Sequence, residues 1–247
     1  MDNSKNWFAS WFDSPHYHIL YKNRDYKEAE YFLKKLTDYL KPKNTDKILD
    51  LACGAGRHSI FLNKLGFNVT GVDLSPNSIE TANESSNETL HFDVHDMREI
   101  YTENGFNYVF NMFTSFGYFE SNEENIIMLQ SVEKTLMPEG IFVLDFFNAH
   151  RVVRDLVREE TKEIEGVQFD LKREIVEGQI IKYINFKDNN KTFSFQEKVQ
   201  AIDLPQFESL FSHTGLKIIA TFGDYSLEEY NQQDSERLIL IAQKVNG

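Results

Sequence analysis

Residues 47–59, Lys-Ile-Leu-Asp-Leu-Ala-Cys-Gly-Ala-Gly-Arg-His-Ser, constrain the fold more than any other stretch of this chain. A short apolar run carries Asp50 near its end, breaks at Gly54 and Gly56, and resumes with helical spacing at Ile60, Phe61, Leu62 and Leu65. That order reads as a buried strand, a tight turn and a helix, in which glycine lets the backbone approach a ligand at the carboxyl edge of a sheet. One such unit cannot bury its own apolar faces, and the chain repeats the pattern. Asn68–Asp73 reads as a second strand, and Ser75-Pro76 opens a helix with a hydroxyl cap and a proline in the first turn. Leu90–Val94, Tyr108–Phe113 and Gly140–Phe146 read as the third, fourth and fifth strands, with a helix over 122–136. Strands alternating with helices predict a mostly parallel sheet with helices on both faces.

Beyond the fifth strand the hydrophobic period falls to two. Gln168–Val176, Gln179–Phe186 and Thr192–Ala201 are strand-like runs separated by Glu177-Gly178 and Asp188-Asn189-Asn190, which are hairpin signals. A helix over 204–213 and strands at Leu216–Phe222 and Arg237–Gln243 follow, bringing the α/β body to seven strands. At the other end, Trp7, Phe8, Trp11 and Phe12 recur at one-turn spacing, then Tyr17, His18 and Tyr21 precede the run Ala29, Phe32, Leu33, Leu36, Leu40, which Pro42 ends. At roughly 150 residues per domain, 247 residues make one domain with an elaboration. The expected organisation is an N-terminal helical cap (1–44), a Rossmann-like α/β body (45–150 and 203–247) and an antiparallel β insertion after strand 5 (160–202).

Charge follows the same division. The chain carries 26 basic and 39 acidic side chains, a formal charge of −13. Ten of each fall in residues 151–200, so the insertion is neutral while the body is acidic. An acidic body repels polyanions, which argues against nucleic acid and anionic membrane surfaces as partners. The single cysteine, Cys53, reads as a small buried loop residue, and no apolar run reaches the ~18 residues of a membrane span. With no signal-like N-terminal run, a cytoplasmic protein is expected.

Two ligands compete for the glycine turn. A dinucleotide fold wants a third glycine where this chain has Ser59, and its pyrophosphate would face Asp50. S-adenosylmethionine has no phosphate, its ammonium suits Asp50, and Asp73, 19 residues beyond Gly54, suits the two hydroxyls of its ribose.

At these residues the chain resembles the class I S-adenosylmethionine-dependent methyltransferases of small-molecule type, over about 45–150 and 203–244. The resemblance rests on Asp50 through Ala52, Gly54 and Gly56 as cofactor loop, on Asp73-Leu74-Ser75 as ribose-binding strand end, on His95-Asp96-Met97 after the third strand, and on Leu136-Met-Pro-Glu-Gly140-Ile-Phe-Val-Leu at the fifth. It implies S-adenosyl-L-methionine as cofactor, with Asp50, Ala52, Gly54, Gly56, Asp73, Leu74, Asp96, Met97, Asn111 and Phe113 around it. Ala52 stands where the fuller loop has a glycine, and Phe106-Asn107 replaces the usual Phe-Asp. Asn111-Met-Phe-Thr-Ser-Phe-Gly-Tyr118 replaces any Asn-Pro-Pro-Tyr sequence of enzymes that methylate bases or protein amides. The cap and insertion also resemble those of enzymes that methylate glycine or amino sugars, where the insertion roofs the acceptor pocket or makes a homodimer contact.

A methyl group leaves a sulfonium by in-line displacement, so alignment and exclusion of water matter more than a strong base. Trp7, Trp11, Tyr17, Tyr21 and Tyr118 can wall such a site and offer cation–π contacts, or the tryptophans can simply pack the first helix onto the body. Tyr21 and Arg24 are candidates for the cofactor's carboxylate. Tyr118, His150 and His18 are the candidate acceptor-side bases. His16 and His18 have no matched acid or cysteine cluster, so no metal is expected. The expected function is methyl transfer to a small-molecule acceptor, of which an amine is one candidate. A nicotinamide-dependent reductase and a non-catalytic cofactor-binding protein are the alternatives.

Overall fold

The computed structural model describes residues 11–22 and 26–245. Helices α1 (Pro15–Leu20) and α2 (Tyr26–Leu40) precede β1 (Lys47–Leu51), α3 (Arg57–Lys64), β2 (Asn68–Asp73), α4 (Pro76–Asn83), β3 (Leu90–Val94), β4 (Phe106–Asn111), α5 (Asn122–Thr135), β5 (Leu136–Phe147) and α6 (Ala149–Arg154). Strands β6 (Glu159–Ile164), β7 (Val167–Val176), β8 (Gln179–Asp188) and β9 (Lys191–Gln200) follow, then α7 (Leu204–Phe211), β10 (Leu216–Phe222) and β11 (Arg237–Lys244).

The strands form two sheets, one of seven in the order β10-β11-β5-β4-β1-β2-β3 and one of four in the order β6-β7-β8-β9. In the first sheet β5, β4, β1, β2 and β3 run parallel, and β11 is antiparallel to both β5 and β10. From β1 the chain steps outward to β2 and β3, then returns to β4 on the other side. The carboxyl ends of β1 and β4 therefore border the crevice where open α/β sheets take ligands.

Alternation along each strand decides which helix covers which face. Leu49, Val109, Phe142, Leu144, Leu238 and Leu240 meet α5 and α7 through Met128, Leu129, Val132, Phe207 and Leu210. Their strand neighbours Ile48, Phe110, Val143, Ile239 and Ile241 meet α2, α3 and α4 through Phe32, Leu33, Leu36, Leu62 and Ile79. The central strands β1, β4, β5 and β11 are covered on both sides, which is why they read as apolar runs, whereas the edge strands β3 and β10 leave alternate residues exposed.

The stretch expected as a cap is divided. The apolar stripe of α2 packs on the seven-stranded sheet, so that helix belongs to the body. Residues 11–22 instead pack on the second sheet, where Trp11 and Leu20 join Phe169, Leu171, Ile184 and Phe186 in a core of their own. Trp7 and Arg24 lie outside the described residues.

Other boundaries also differ from the sequence reading. Strand β5 begins at Leu136 rather than Gly140, with the register shifting between its Phe106 and Tyr108 pairings to β4. Strand β4 ends at Asn111 because Phe113 and Thr114 are left-handed, with φ of 55° and 61°, and a ladder cannot continue through them. The insertion gains β6, whose sequence Glu-Glu-Thr-Lys-Glu-Ile carries no apolar alternation. It pairs in register with β7 and closes that side of the sheet with charged side chains, a usual guard for an edge strand.

Candidate active site

A cavity of about 350 Å³ opens at the carboxyl ends of β1, β2 and β4, beneath residues 12–22. Its floor is the β1–α3 turn. Cys53 N–H donates to the Val72 carbonyl at 2.9 Å, Ala52 is left-handed at φ 64°, and Gly54 (φ 56°) has nothing within 4 Å of where a Cβ would stand. Gly56 does different work. It lies outside the lining at φ 79°, and a Cβ there would stand 2.6 Å from the Phe92 ring, so this glycine admits close helix–sheet packing.

Asp73, at the end of β2, lines the cavity. Its Oδ2 accepts from Gly54 N–H at 2.8 Å and its Oδ1 from Ser75 N–H at 2.9 Å, which fixes the carboxylate with lone pairs to spare. Burial raises its pKa, against those backbone bonds. Asp50 does not reach the cavity. It is buried beneath the turn, where Ser59 Oγ donates to its Oδ2 at 2.6 Å, and burial pushes its carboxyl up to about 6. The expectation that Asp50 meets a ligand's ammonium therefore fails on position, because the strand's alternation turns its side chain into the protein.

Leu74, Asp96 and Met97 form another wall. Burial alone would raise Asp96, but the Arg98 guanidinium and backbone N–H hold it below its ordinary value. Arg98 also reaches Glu124 on α5 at 2.8 Å, and Ser131 Oγ donates to the Met97 carbonyl at 3.1 Å, so the loop after β3 is tied to that helix.

The left-handed pair Phe113-Thr114 makes the opposite wall. Both backbone N–H groups donate to Asp145 on β5, Phe113 to Oδ2 at 2.8 Å and Thr114 to the carbonyl at 2.9 Å. Arg237 on β11 bonds Asp145 Oδ1 through Nε at 2.8 Å and Thr114 Oγ1 through Nη2 at 3.0 Å. Facing the cavity, Phe113 stacks on His58 at 4.9 Å, with the Arg57 guanidinium 4.3 Å from its ring centre. Asn111 is absent from this wall, because its amide donates inward to the Leu51 carbonyl at 3.0 Å and joins β4 to β1.

Phe12, Tyr17, His18, Tyr21 and Tyr118 roof the cavity. Phe12 and Tyr118 meet edge to face at 5.3 Å, and Tyr17 packs against Tyr21 at 4.8 Å. The roof is clasped at both ends. Asp13 accepts from Ser75 Oγ at 2.6 Å and from Asn77 Nδ2 at 2.8 Å, beside the strand end that carries Asp73. Tyr21 donates to Glu197 of β9 at 2.7 Å, and His16 pairs with Asp188 at 3.0 Å. His150 lies elsewhere, in the first turn of α6, beside Gln232 and 3.5 Å from Asp203. Among the described residues no group of three or more His, Cys, Asp or Glu is placed to hold a metal.

Sequence reasoning missed Asp13, Asp145, Glu197 and Arg237. Glu197 alone left a trace, as an acid in the alternating row Phe193, Phe195, Glu197, Val199.

The profile of the methyltransferase-domain family matches residues 42–221, which run from β1 into β10 and include every wall of the cavity below its roof. The chain belongs to that family. This methyltransferase has the class I fold that the glycine turn and Asp73 suggested. It is 28% identical to YqeM of Bacillus subtilis over 217 residues, covering 80% of this chain and 84% of that one. It is 25% identical to the glycine/sarcosine N-methyltransferase of Aphanothece halophytica, covering 90% and 83%. The crystal structure of an S-adenosylmethionine-dependent methyltransferase from Clostridium acetobutylicum superposes with a TM-score of 0.79 at 20% identity, over 98% of this chain and 99% of that one. No helix of the methyltransferase among the described residues is long and apolar enough to cross a membrane.

Proposed function

We propose that this methyltransferase transfers the methyl group of S-adenosylmethionine to the nitrogen of a small amine. The observation that carries the reading is the cavity itself. At about 350 Å³, roofed by aromatic side chains clasped at both ends, it suits a nucleoside-sized cofactor and a small acceptor rather than a polymer. Amine acceptance draws support from the glycine/sarcosine relative and from rings whose faces attract cations.

The open side of Gly54 and the fixed Asp73 carboxylate fit the cofactor. Asp73 would hold its ribose hydroxyls, Ala52 and Gly54 its methionyl arm, and Leu74, Asp96, Met97 and Phe113 its adenosyl group. When bound, it supplies an electrophilic methyl on a sulfonium. The protein aligns the partners, and its closed roof keeps water from competing.

Asp50 acts one step back, holding Ser59 and the turn. Tyr21 belongs with the acceptor, together with Tyr118 and His18. Its hydroxyl proton is committed to Glu197, and that carboxylate would repel the cofactor's own. His150 does not line the cavity and takes no part in this reading.

Calorimetric titration with S-adenosylmethionine and NADH, followed by turnover across amines, hydroxy acids and phenols, tests the reading. Binding of the first ligand alone and methylation confined to amines are expected. Failure to bind S-adenosylmethionine overturns the cofactor assignment. Binding without turnover of any amine overturns the acceptor class.

A further inference from the structure

Trp11, Tyr21, Lys182 and Glu197 make a polar knot where the roof meets the second sheet. The surrounding seam is apolar, built from Leu20, Phe169, Leu171, Ile184 and Phe186. Hydrocarbon would fill the place without the desolvation cost of a buried carboxylate and ammonium. Glu197 is 9% exposed and stands opposite Lys182 in the β8–β9 register, with Nζ 3.5 Å from Oε2. Trp11 Nε1 donates to Glu197 Oε1 at 2.6 Å. The Tyr21 hydroxyl lies 2.7 Å from both Glu197 oxygens and accepts from Lys182 Nζ at 2.6 Å. Of these four side chains only Tyr21 lines the cavity. A carboxylate is thus connected to the acceptor space through one phenol.

We propose that Tyr21 and Glu197 form the proton outlet of the acceptor site, with Tyr21 the catalytic residue that touches the acceptor and Glu197 a positioning residue that takes the proton through it. The proposal rests on the amine reading above. An amine as basic as a lysine side chain is neutral in only about one molecule in 2,500 at pH 7, and an ammonium has no lone pair to attack with. In the step, an N–H bond of the bound ammonium breaks and its proton passes to Tyr21 Oη. Tyr21's own proton passes at the same time to the Glu197 carboxylate. One positive and one negative charge become a neutral amine and a neutral carboxylic acid, and the nitrogen keeps the bonding pair.

Burial raises the Tyr21 phenol well above its ordinary value, so the proton passes through Tyr21 and does not leave a lasting phenolate. Tyr17 and Tyr118 face Tyr21 from the roof and the post-β4 loop, and both reinforce that direction. Lys182 faces Glu197 from β8. Burial lowers the Lys182 ammonium, as do Arg173 on β7 and Lys162 on β6, while Glu197 supports it.

The test uses the full chain with S-adenosylmethionine and glycine, sarcosine and ethanolamine as acceptors. In Glu197→Gln and in Tyr21→Phe, which removes a single oxygen, kcat/KM at pH 7 is expected to fall about 100-fold. It should then climb about tenfold per pH unit toward the wild-type value as solvent deprotonates the amine. Cofactor affinity of Glu197→Gln should stay within about twofold of wild type, since Glu197 does not line the cavity. A wild-type pH profile in the variants, or a loss of cofactor affinity parallel to the loss of kcat/KM, overturns the outlet and leaves the amine reading standing. Cofactor binding with none of the three amines methylated by the wild type overturns the amine reading and the outlet with it.

Discussion

Asp50 and Asp73 end adjacent strands, yet they face different surroundings. Asp73 is held at the cavity wall by two backbone N–H groups, whereas Asp50 is enclosed and bonded by Ser59. Burial lifts the Asp50 carboxyl to about 6, above the ~3.9 of an unfolded aspartate, so the folded state binds this proton more tightly. The benefit is complete below about pH 4 and is lost as pH rises through 6. Asp50→Asn keeps an acceptor for Ser59 and removes the titration. Its stability relative to wild type should therefore rise by about 2–3 kcal/mol between pH 4 and pH 7.5, as measured by urea unfolding at each pH. A pH-independent difference would show that Asp50 does not titrate in this range. The glycine turn and Asp73 were legible in the sequence because a left-handed turn and a strand-end acid have local signatures. The inward turn of Asp50 was not, since a strand end gives no sign of whether its acid faces a crevice or a helix.

Among the elements, the roof and the post-β4 loop owe their positions to bonds from distant parts of the chain. Asp13 reaches Ser75 and Asn77 at the start of α4, closing residues 11–22 over the strand end that carries Asp73. In Asp13→Ala the roof should open more often. The dissociation rate of S-adenosylmethionine is expected to rise about tenfold, consistent with the loss of one to two net hydrogen bonds, with little change in association. Stopped-flow displacement measures both rates, and an unchanged dissociation rate would mean the clasp does not gate release. The two left-handed residues of the post-β4 loop depend on Asp145 and Arg237. Arg237→Met leaves Asp145 buried with its cation removed, and should cost about 3–5 kcal/mol of stability in urea unfolding. Strand periodicity located β4 approximately, but the bonds that end it come from residues 32 and 123 positions away. No local pattern at Phe113 announces them.

Across the whole molecule, the two sheets have separate cores, and Trp11 is the largest side chain of the smaller one. Trp11→Ala removes a fully buried indole together with its bond to Glu197. It is expected to cost about 3–5 kcal/mol within that core. Amide exchange should accelerate across β6–β9 and stay near wild type in β1, β4 and β5, a contrast that hydrogen-exchange mass spectrometry resolves. Uniform acceleration in both sheets would show that they unfold as one unit. The order of strands and helices, the covered parallel sheet and the cofactor turn were determined by the sequence alone, because apolar period, turn chemistry and a strand-end carboxylate act over a few residues. Tertiary structure alone decided that α2 joins the body, that charged β6 completes the insertion, that His150 lies away from the cavity, and that Glu197 stands behind Tyr21. Each of these depends on contacts between residues far apart in the chain, which form only when the two sheets and the roof have packed.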